Sequence, residues 1–548
     1  MYQESPIKLS VLRYSLGLAA SLLLAVVVDA THAIEIKTEL ITLTDVAAPD
    51  GMGTIVDLGG PVLNDVGQVA FGVRYLSDPP SNGPFGLLLS DGLGGLVTLA
   101  RTGDSVPDGN GTLRDVGTFP RINNAGQVVF HSDLVNFTGP LLNNQALYLS
   151  DGANSLQQIV RAGDPTPDGN GIIADFDNPT ISTPVLNDAG QVVFHGYFSA
   201  FDSSNSALYL SNGPGDLVEI ARTGDAAPDG VGTFQSLRNP SVNEAGQVAF
   251  GVFFSDTGSN VNRNGIFRRE ITGDLVQIIR TGGLAPDGNG TLFAASDLSL
   301  NDSGQIVFKG LLTGTNAGQA DNQALYLGDG IGELVQLVRK GDAVPGGIGR
   351  FSDLGNPYVN NAGQTVFHSN LIDTVNFGDD TGLFLSDASG QLVQIAREGD
   401  AVPSGNGRFA DMGLTNSLTF SGSRAAINDA GQVAFLADLK LTSGGDKDNQ
   451  ALYLYDVALG LTQLARTGEP LLGSTITGLF FLDGSGGFGD DLGNERSGLN
   501  DSGQVAYLFA LADGREGIAI ATIVPEPSTL LLILLTCTVT LWRLRFTG

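Results

Sequence analysis

Cysteine is nearly missing: Cys537 is the single one in 548 residues. No intrachain disulfide can form, no Cys-based zinc site is available, and the body of the chain holds no thiol nucleophile. Basic residues are scarce, with 28 Lys plus Arg against 58 Asp plus Glu and a formal net charge of -30. A polyanion of that size repels phosphate backbones, which excludes nucleic-acid binding. Tryptophan occurs once, at Trp542 close to the C-terminus, so no Trp platform for sugars stands in the body. No Gly-x-Ser-x-Gly nucleophile turn occurs, which removes the usual signal for a Ser-His-Asp hydrolase. Charged residues make up 16% and hydrophobic residues 42%, a balance foreign to disordered polymers and to multi-span membrane proteins. Glycine, at 76 residues, is about twice as frequent as usual, and density of that kind means many turns.

Both ends read as addresses. Lys8 and Arg13 precede an apolar run from Leu16 to Val28, and Thr31-His32-Ala33 then ends in the small residue that signal peptidase needs. Residues 1–33 are therefore read as a secretory signal peptide cleaved after Ala33. At the other end Pro525-Glu526-Pro527 leads into an apolar stretch, Thr529 to Trp542, followed by Arg543 and Arg545. As a helix that stretch reaches about 21 Å, short of a hydrocarbon core of about 30 Å, and suits a transient membrane tether. Position, helix and basic end together resemble the PEP-CTERM sorting signal. The resemblance implies processing by an exosortase-type enzyme in a Gram-negative bacterium, with residues 524–548 removed after transient inner-membrane anchoring.

Between the addresses, residues 34–523 are a repeat. Asn-x-x-Gly-Gln occurs eight times, its glycine at Gly67, Gly126, Gly190, Gly246, Gly304, Gly363, Gly431 and Gly503, at spacings of 56 to 72. Each copy carries the same strand-forming words, as in Gln191-Val192-Val193-Phe194, Ala207-Leu208-Tyr209-Leu210 and Leu217-Val218-Glu219-Ile220-Ala221-Arg222. Asn opening a turn whose Gly takes the left-handed conformation is tight-hairpin chemistry. Apolar residues at successive positions predict strands covered on both faces. With the strand before the Asn turn, each repeat of about 62 residues supplies four antiparallel strands, the size of a propeller blade. The predicted fold is all-β, an eight-bladed β-propeller; the alternative is a β-solenoid or other repeat array. Closure is predicted from complementary terminal half-repeats, with Leu40 to Leu43 pairing beside Gly517 to Ala521. The words resemble the bacterial choice-of-anchor tandem-repeat proteins, whose Asn-x-x-Gly-x-x-Ala-Phe form stands at Asn64–Phe71, Asn243–Phe250 and Asn428–Phe435. That resemblance implies a surface or secreted protein and no particular activity.

Three sets of residues invite chemistry. His131, His195 and His368 follow the repeated Phe in three copies, a metal-site count whose competing reading is strand-surface histidines. Arg101, Arg161, Arg222, Arg339, Arg397 and Arg466 each precede an acid by three residues, which reads as a bracing ion pair repeated in the blades. The loop after these arginines clusters acids with glycine, offering Asp104, Asp108, Asp164 and Asp168 as calcium ligands; the competing reading is ordinary Asp-Gly turn chemistry. No blade is singled out as catalysis requires. The expectation is an exported, non-catalytic, cofactor-free protein, calcium apart. It would bind a glycan, matrix polymer or protein at the cell surface, and the alternative is a secreted polysaccharide hydrolase or lyase.

Overall fold

The computed structural model describes residues 34–525 apart from 77–84, 93, 117–119, 140–143, 153–154, 177–183, 199–204, 256–263, 376–378, 411–424 and 483–496. The signal peptide with Ala33, the tail with Glu526 and Pro527, and the apolar runs 16–28 and 529–542 lie outside these residues. Among the described residues no helix is long and apolar enough to cross a membrane. Thr38–Ala521 forms one compact unit, and a second contributes residues 34–37 and 522–525 to the described set.

The chain folds into an eight-bladed β-propeller of antiparallel sheets. β1 (Ile34–Leu43) precedes the first blade, in which β2 (Ile55–Leu58) with β3 (Val62–Leu63) forms the first, interrupted strand. Then follow β4 (Val69–Tyr75), β5 (Phe85–Ser90) and β6 (Leu96–Arg101). The sheet order β2-β4-β5-β6 recurs in the next six blades. First strands of successive blades pack on one another, so they are innermost and the Arg-bearing strands outermost.

Burial follows the period of two. Residues of each second strand point alternately at the two neighbouring blades, and both destinations are apolar, so the strand reads as an unbroken hydrophobic run. Between the sixth and seventh blades, Val366, Leu383 and Leu385 meet Val433, Phe435 and Tyr453. Phe of the second strand sits opposite the aromatic of the third, as in Phe130 and Tyr148 with ring centroids 5.7 Å apart. Such layers between sheets replace a single central core.

The eighth blade closes the ring. Ser474–Phe480, Gln504–Leu511 and Glu516–Pro525 supply three strands, and β1 adds the outermost, beside Glu516–Pro525. Thr44 N–H donates to the Glu516 carbonyl at 2.9 Å, and Glu516 N–H to the Thr44 hydroxyl at 2.9 Å. The expected pairing of Leu40–Leu43 with Gly517–Ala521 is present, but the division is three strands to one rather than two halves. The last strand also runs through Pro525, so it overlaps the first residue of the sorting motif.

Candidate functional site: an acidic collar on the axis

Each Asn-x-x-Gly-Gln turn is a closed local circuit. In the first blade the Asn64 Oδ1 accepts Gln68 N–H at 2.8 Å, and its Nδ2 donates to Gln68 Oε1 at 2.9 Å. Gly67 N–H donates back to the Asn64 carbonyl, with Gly67 at φ 85°, as the hairpin reading predicts. The Asn Nδ2 has a second hydrogen, and it goes to the next blade. Asn64 donates to the Asn123 carbonyl, Asn123 to Asn187, Asn187 to Asn243 and Asn243 to Asn301, at 2.9 to 3.1 Å. Asn301 donates to Asn360, Asn360 to Asn428, Asn428 to Asn500, and Asn500 back to Asn64 at 3.0 Å. Eight carboxamides thus form an unbroken ring, none more than 4% exposed.

A second ring lies one residue further along each turn. The Asp65 N–H donates to the Asn124 side-chain oxygen, Asn124 N–H to Asp188, Asp188 to Glu244 and Glu244 to Asp302, at 2.7 to 2.8 Å. The series continues through Asn361, Asp429 and Asp501, and the Asp501 N–H returns to Asp65 Oδ1 at 2.8 Å. Six of these eight side chains are carboxylates. Asn124 Nδ2 bridges Asp65 and Asp188, and Asn361 Nδ2 bridges Asp302 and Asp429, at 2.6 to 2.8 Å. The ring therefore has twofold character, with Glu244 and Asp501 at the matching places between bridges. Burial raises the Asp501 carboxyl above its ordinary range, and the negative charges of Asp65, Asp429 and Asp302 push it the same way against a backbone hydrogen bond.

The two rings floor a depression of about 250 Å³ whose lining comes from all eight blades, including Asp65, Asn124, Asp188, Glu244, Asp302 and Asp429. Acceptors and negative charge converge there, which makes the depression a region of negative potential. Reading the sequence missed this collar. Its signal was present: the residue after the repeated Asn is Asp, Asn or Glu in every copy.

The residues singled out from sequence fall elsewhere. Asp104 Oδ2 accepts the Arg101 backbone N–H, and Asp164 Oδ2 that of Arg161, both at 2.8 Å, so the acid three residues after each Arg braces a turn. The guanidinium reaches instead the loop entering its own blade: Arg101 to Asp50 at 2.8 Å, Arg161 to Asp108 at 2.7 Å, Arg222 to Asp168 at 3.1 Å. At Asp108 and Asp168 the counter-charge is thus a guanidinium. Among the described residues no group of His, Cys, Asp and Glu is arranged to hold a metal ion. His131, His195 and His368 occupy equivalent places in their second strands. His195 is 2% exposed, with Nδ1 at 3.1 Å from the Tyr197 hydroxyl, and burial pulls its pKa down to about 4. Burial likewise lowers His131, against Asp133 and Asp115.

A model for a family of unknown function, DUF7453, matches residues 35–424 and 375–531. No curated protein matches the chain. Among solved structures, a puromycin-hydrolyzing peptidase of Mycobacterium tuberculosis is similar at 13% identity and TM-score 0.38, over 86% of this chain and 61% of that one. The polysaccharide lyase Uly1 is similar at 11% and 0.37, over 79% and 100%, and the Dos1 propeller at 11% and 0.37, over 88% and 94%. The chain spans about three fifths of that peptidase's length. At such values nothing about activity transfers.

Proposed function

We propose, from the premise that the chain belongs to DUF7453, a family of unknown function, that it is an exported, non-catalytic binding ring of the cell envelope or extracellular matrix. Its axial collar seats a basic group of a protein or matrix polymer. The observation that carries this reading is the depression itself, where six carboxylates from six blades meet around one axis. Its volume of about 250 Å³ lies below the usual range for small-molecule sites and suits one lysine or arginine side chain better than a sugar chain. Repetition supports binding over catalysis, since every blade makes the same two collar bonds. Export rests on the residues of both ends, with signal peptidase acting after Ala33 and an exosortase-type enzyme near Pro525-Glu526-Pro527.

Calorimetry with an octalysine peptide at low and physiological salt tests the collar. Glu244 and Asp501 accept from neither bridging Asn, so Glu244→Gln with Asp501→Asn keeps the ring bonds and removes two charges. The pair should weaken binding at least tenfold, while Asp446→Asn with Asp513→Asn, on exposed turns, should change it less than twofold. Equal losses from both pairs would reduce the effect to net charge and overturn the reading.

A further inference from the structure

In a repeated fold a blade that departs from its siblings stands out, and the sixth blade departs. In the first five blades the guanidinium of the outer strand meets a carboxylate of the entering loop, Asp50, Asp108, Asp168, Asp229 or Asp287, at 2.6 to 3.1 Å. In the seventh, Ser404 takes that place. The loop entering the sixth blade reads Pro345-Gly346-Gly347-Ile348 and has no side chain to offer there. Arg397 keeps two bonds, from Nε to the Asp379 carbonyl at 2.9 Å and from Nη2 to the Ile348 carbonyl at 3.0 Å. Its Nη1 bonds to no acceptor among the described residues, although the side chain is only 7% exposed. A Cβ on Gly347 would stand 2.9 Å from that Nη1, so the bare backbone is what leaves it approachable.

The same loop orphans a second group. Arg339 Nε, Arg397 Nε and Arg466 Nε donate to the carbonyls of Asp321, Asp379 and Asp448, which makes these three acids equivalent. In the fifth and seventh blades the acid accepts a carboxamide N–H from the entering loop, Asn289 to Asp321 and Asn406 to Asp448, both at 2.9 Å. Ile348 stands in place of that Asn in the sixth. Asp379 Oδ1 is consequently buried with no hydrogen-bond partner among the described residues, while its Oδ2 lies 3.9 Å from Arg397 Nη2.

Buried polar atoms left unbonded are costly, and here a donor and an acceptor are left so in one place. The group that satisfies both must accept from a guanidinium N–H and donate to a carboxylate oxygen. An anion is repelled by Asp379 and a cation by Arg397, and the two charges offset each other, so a neutral group fits. Neighbouring hydroxyls of a sugar do both jobs at once. Gly346 and Gly347 are exposed, which opens the place to solvent, and Ile348 beside them is 64% exposed and offers an apolar surface to ring C–H groups.

We propose that the loop entering the sixth blade is a binding site for a neutral carbohydrate, held through adjacent hydroxyls by Arg397 Nη1 and Asp379 Oδ1. It lies at the opposite end of the strands from the Asn turns and does not depend on what the collar binds.

Saturation-transfer NMR on the purified protein tests the site, with methyl α-glucoside, methyl α-mannoside and methyl β-galactoside as neutral probes and acetamide as an amide. At least one glycoside should bind, and Gly346→Asp should weaken it at least tenfold. That change writes Pro-Asp-Gly-Ile-Gly, close to Pro228 to Gly232, where Asp229 holds Arg280 at 2.6 Å. Ile348→Asn, which gives Asp379 the amide that Asp321 and Asp448 receive, should weaken binding as much by a separate route. Ser404→Asp, the same charge at the same place in the seventh blade, should change it less than twofold. No glycoside bound, or binding indifferent to both sixth-blade variants, overturns the proposal. Acetamide bound while the glycosides are not overturns the carbohydrate and makes the place an amide site.

Discussion

At the scale of single residues the collar explains why so few side chains are allowed in the turn. Gly126 needs φ 78°, and a Cβ there would stand 2.8 Å from the Oε1 of Gln68 in the preceding blade, so glycine is required twice over. The position after the Asn tolerates only an oxygen acceptor, and its charge is adjustable. Asp501→Asn should therefore stabilise the fold, because an amide can bridge Asp429 and Asp65 as Asn124 bridges its neighbours. At a solvent-exposed position the gain is about 0.5 to 1 kcal/mol at pH 7, and Asn124→Asp should cost a similar amount. The pH sign follows from the raised Asp501 pKa. Its stabilising effect is complete below the unfolded value of about 3.9 and is lost as pH rises through the folded value. The advantage of Asp501→Asn in chemical denaturation should accordingly be larger at pH 7 than at pH 4. The same advantage at both pH values would remove like-charge crowding from the account. The Asn-x-x-Gly hairpin was legible in the sequence because its bonds are local; the Asn bond to the next blade was not, since its partner stands 59 residues away.

At the scale of the element, the outer strand of each of the first seven blades is locked by its arginine. Arg161 is 4% exposed and reaches Asp108 and the Asn110 carbonyl, gripping the loop that enters its own blade. In the seventh blade the acid is replaced, and Arg466 Nη1 meets the Ser404 hydroxyl at 3.1 Å. Ser404→Asp should rebuild the grip and stabilise by about 1 kcal/mol, while Asp108→Ala should destabilise by about 1 to 2 kcal/mol, since the carboxylate it removes is solvent-exposed and Arg161 keeps the Asn110 carbonyl. Thermal unfolding checks both signs, and a loss on Ser404→Asp would mean that the loop cannot admit the longer side chain. Arg and acid were visible as a repeating pair, but the wrong acid was matched. Sequence proximity favoured Asp104 for Arg101, whereas Asp104 holds the Arg101 backbone N–H and Asp50 takes the guanidinium. The four strands per repeat were legible because each word is apolar on both faces and bounded by Gly turns. The interruption of the first strand has a local signal too, since Gly59-Gly60-Pro61 separates β2 from β3, but the strand reading passed over it.

At the scale of the whole molecule, eight copies of one hairpin predicted eight blades, and the complementary half-repeats at the two ends predicted closure, which the structure makes with one N-terminal strand. The collar makes the ring cooperative, because each blade is bonded on the axis to the one after it and the eighth is bonded to the first. A ring seamed only by β1 would open first at the eighth blade; a ring tied by a collar would not. Amide hydrogen exchange read at Asp65, Asn124, Asp188, Glu244, Asp302, Asn361, Asp429 and Asp501 decides between them, since these N–H groups are the collar's own donors. The account predicts that all eight exchange with matched protection, through one opening of the whole ring. Exchange at Asp501 and Asp65 more than tenfold faster than at the other six would show that the seam opens independently and would contradict it.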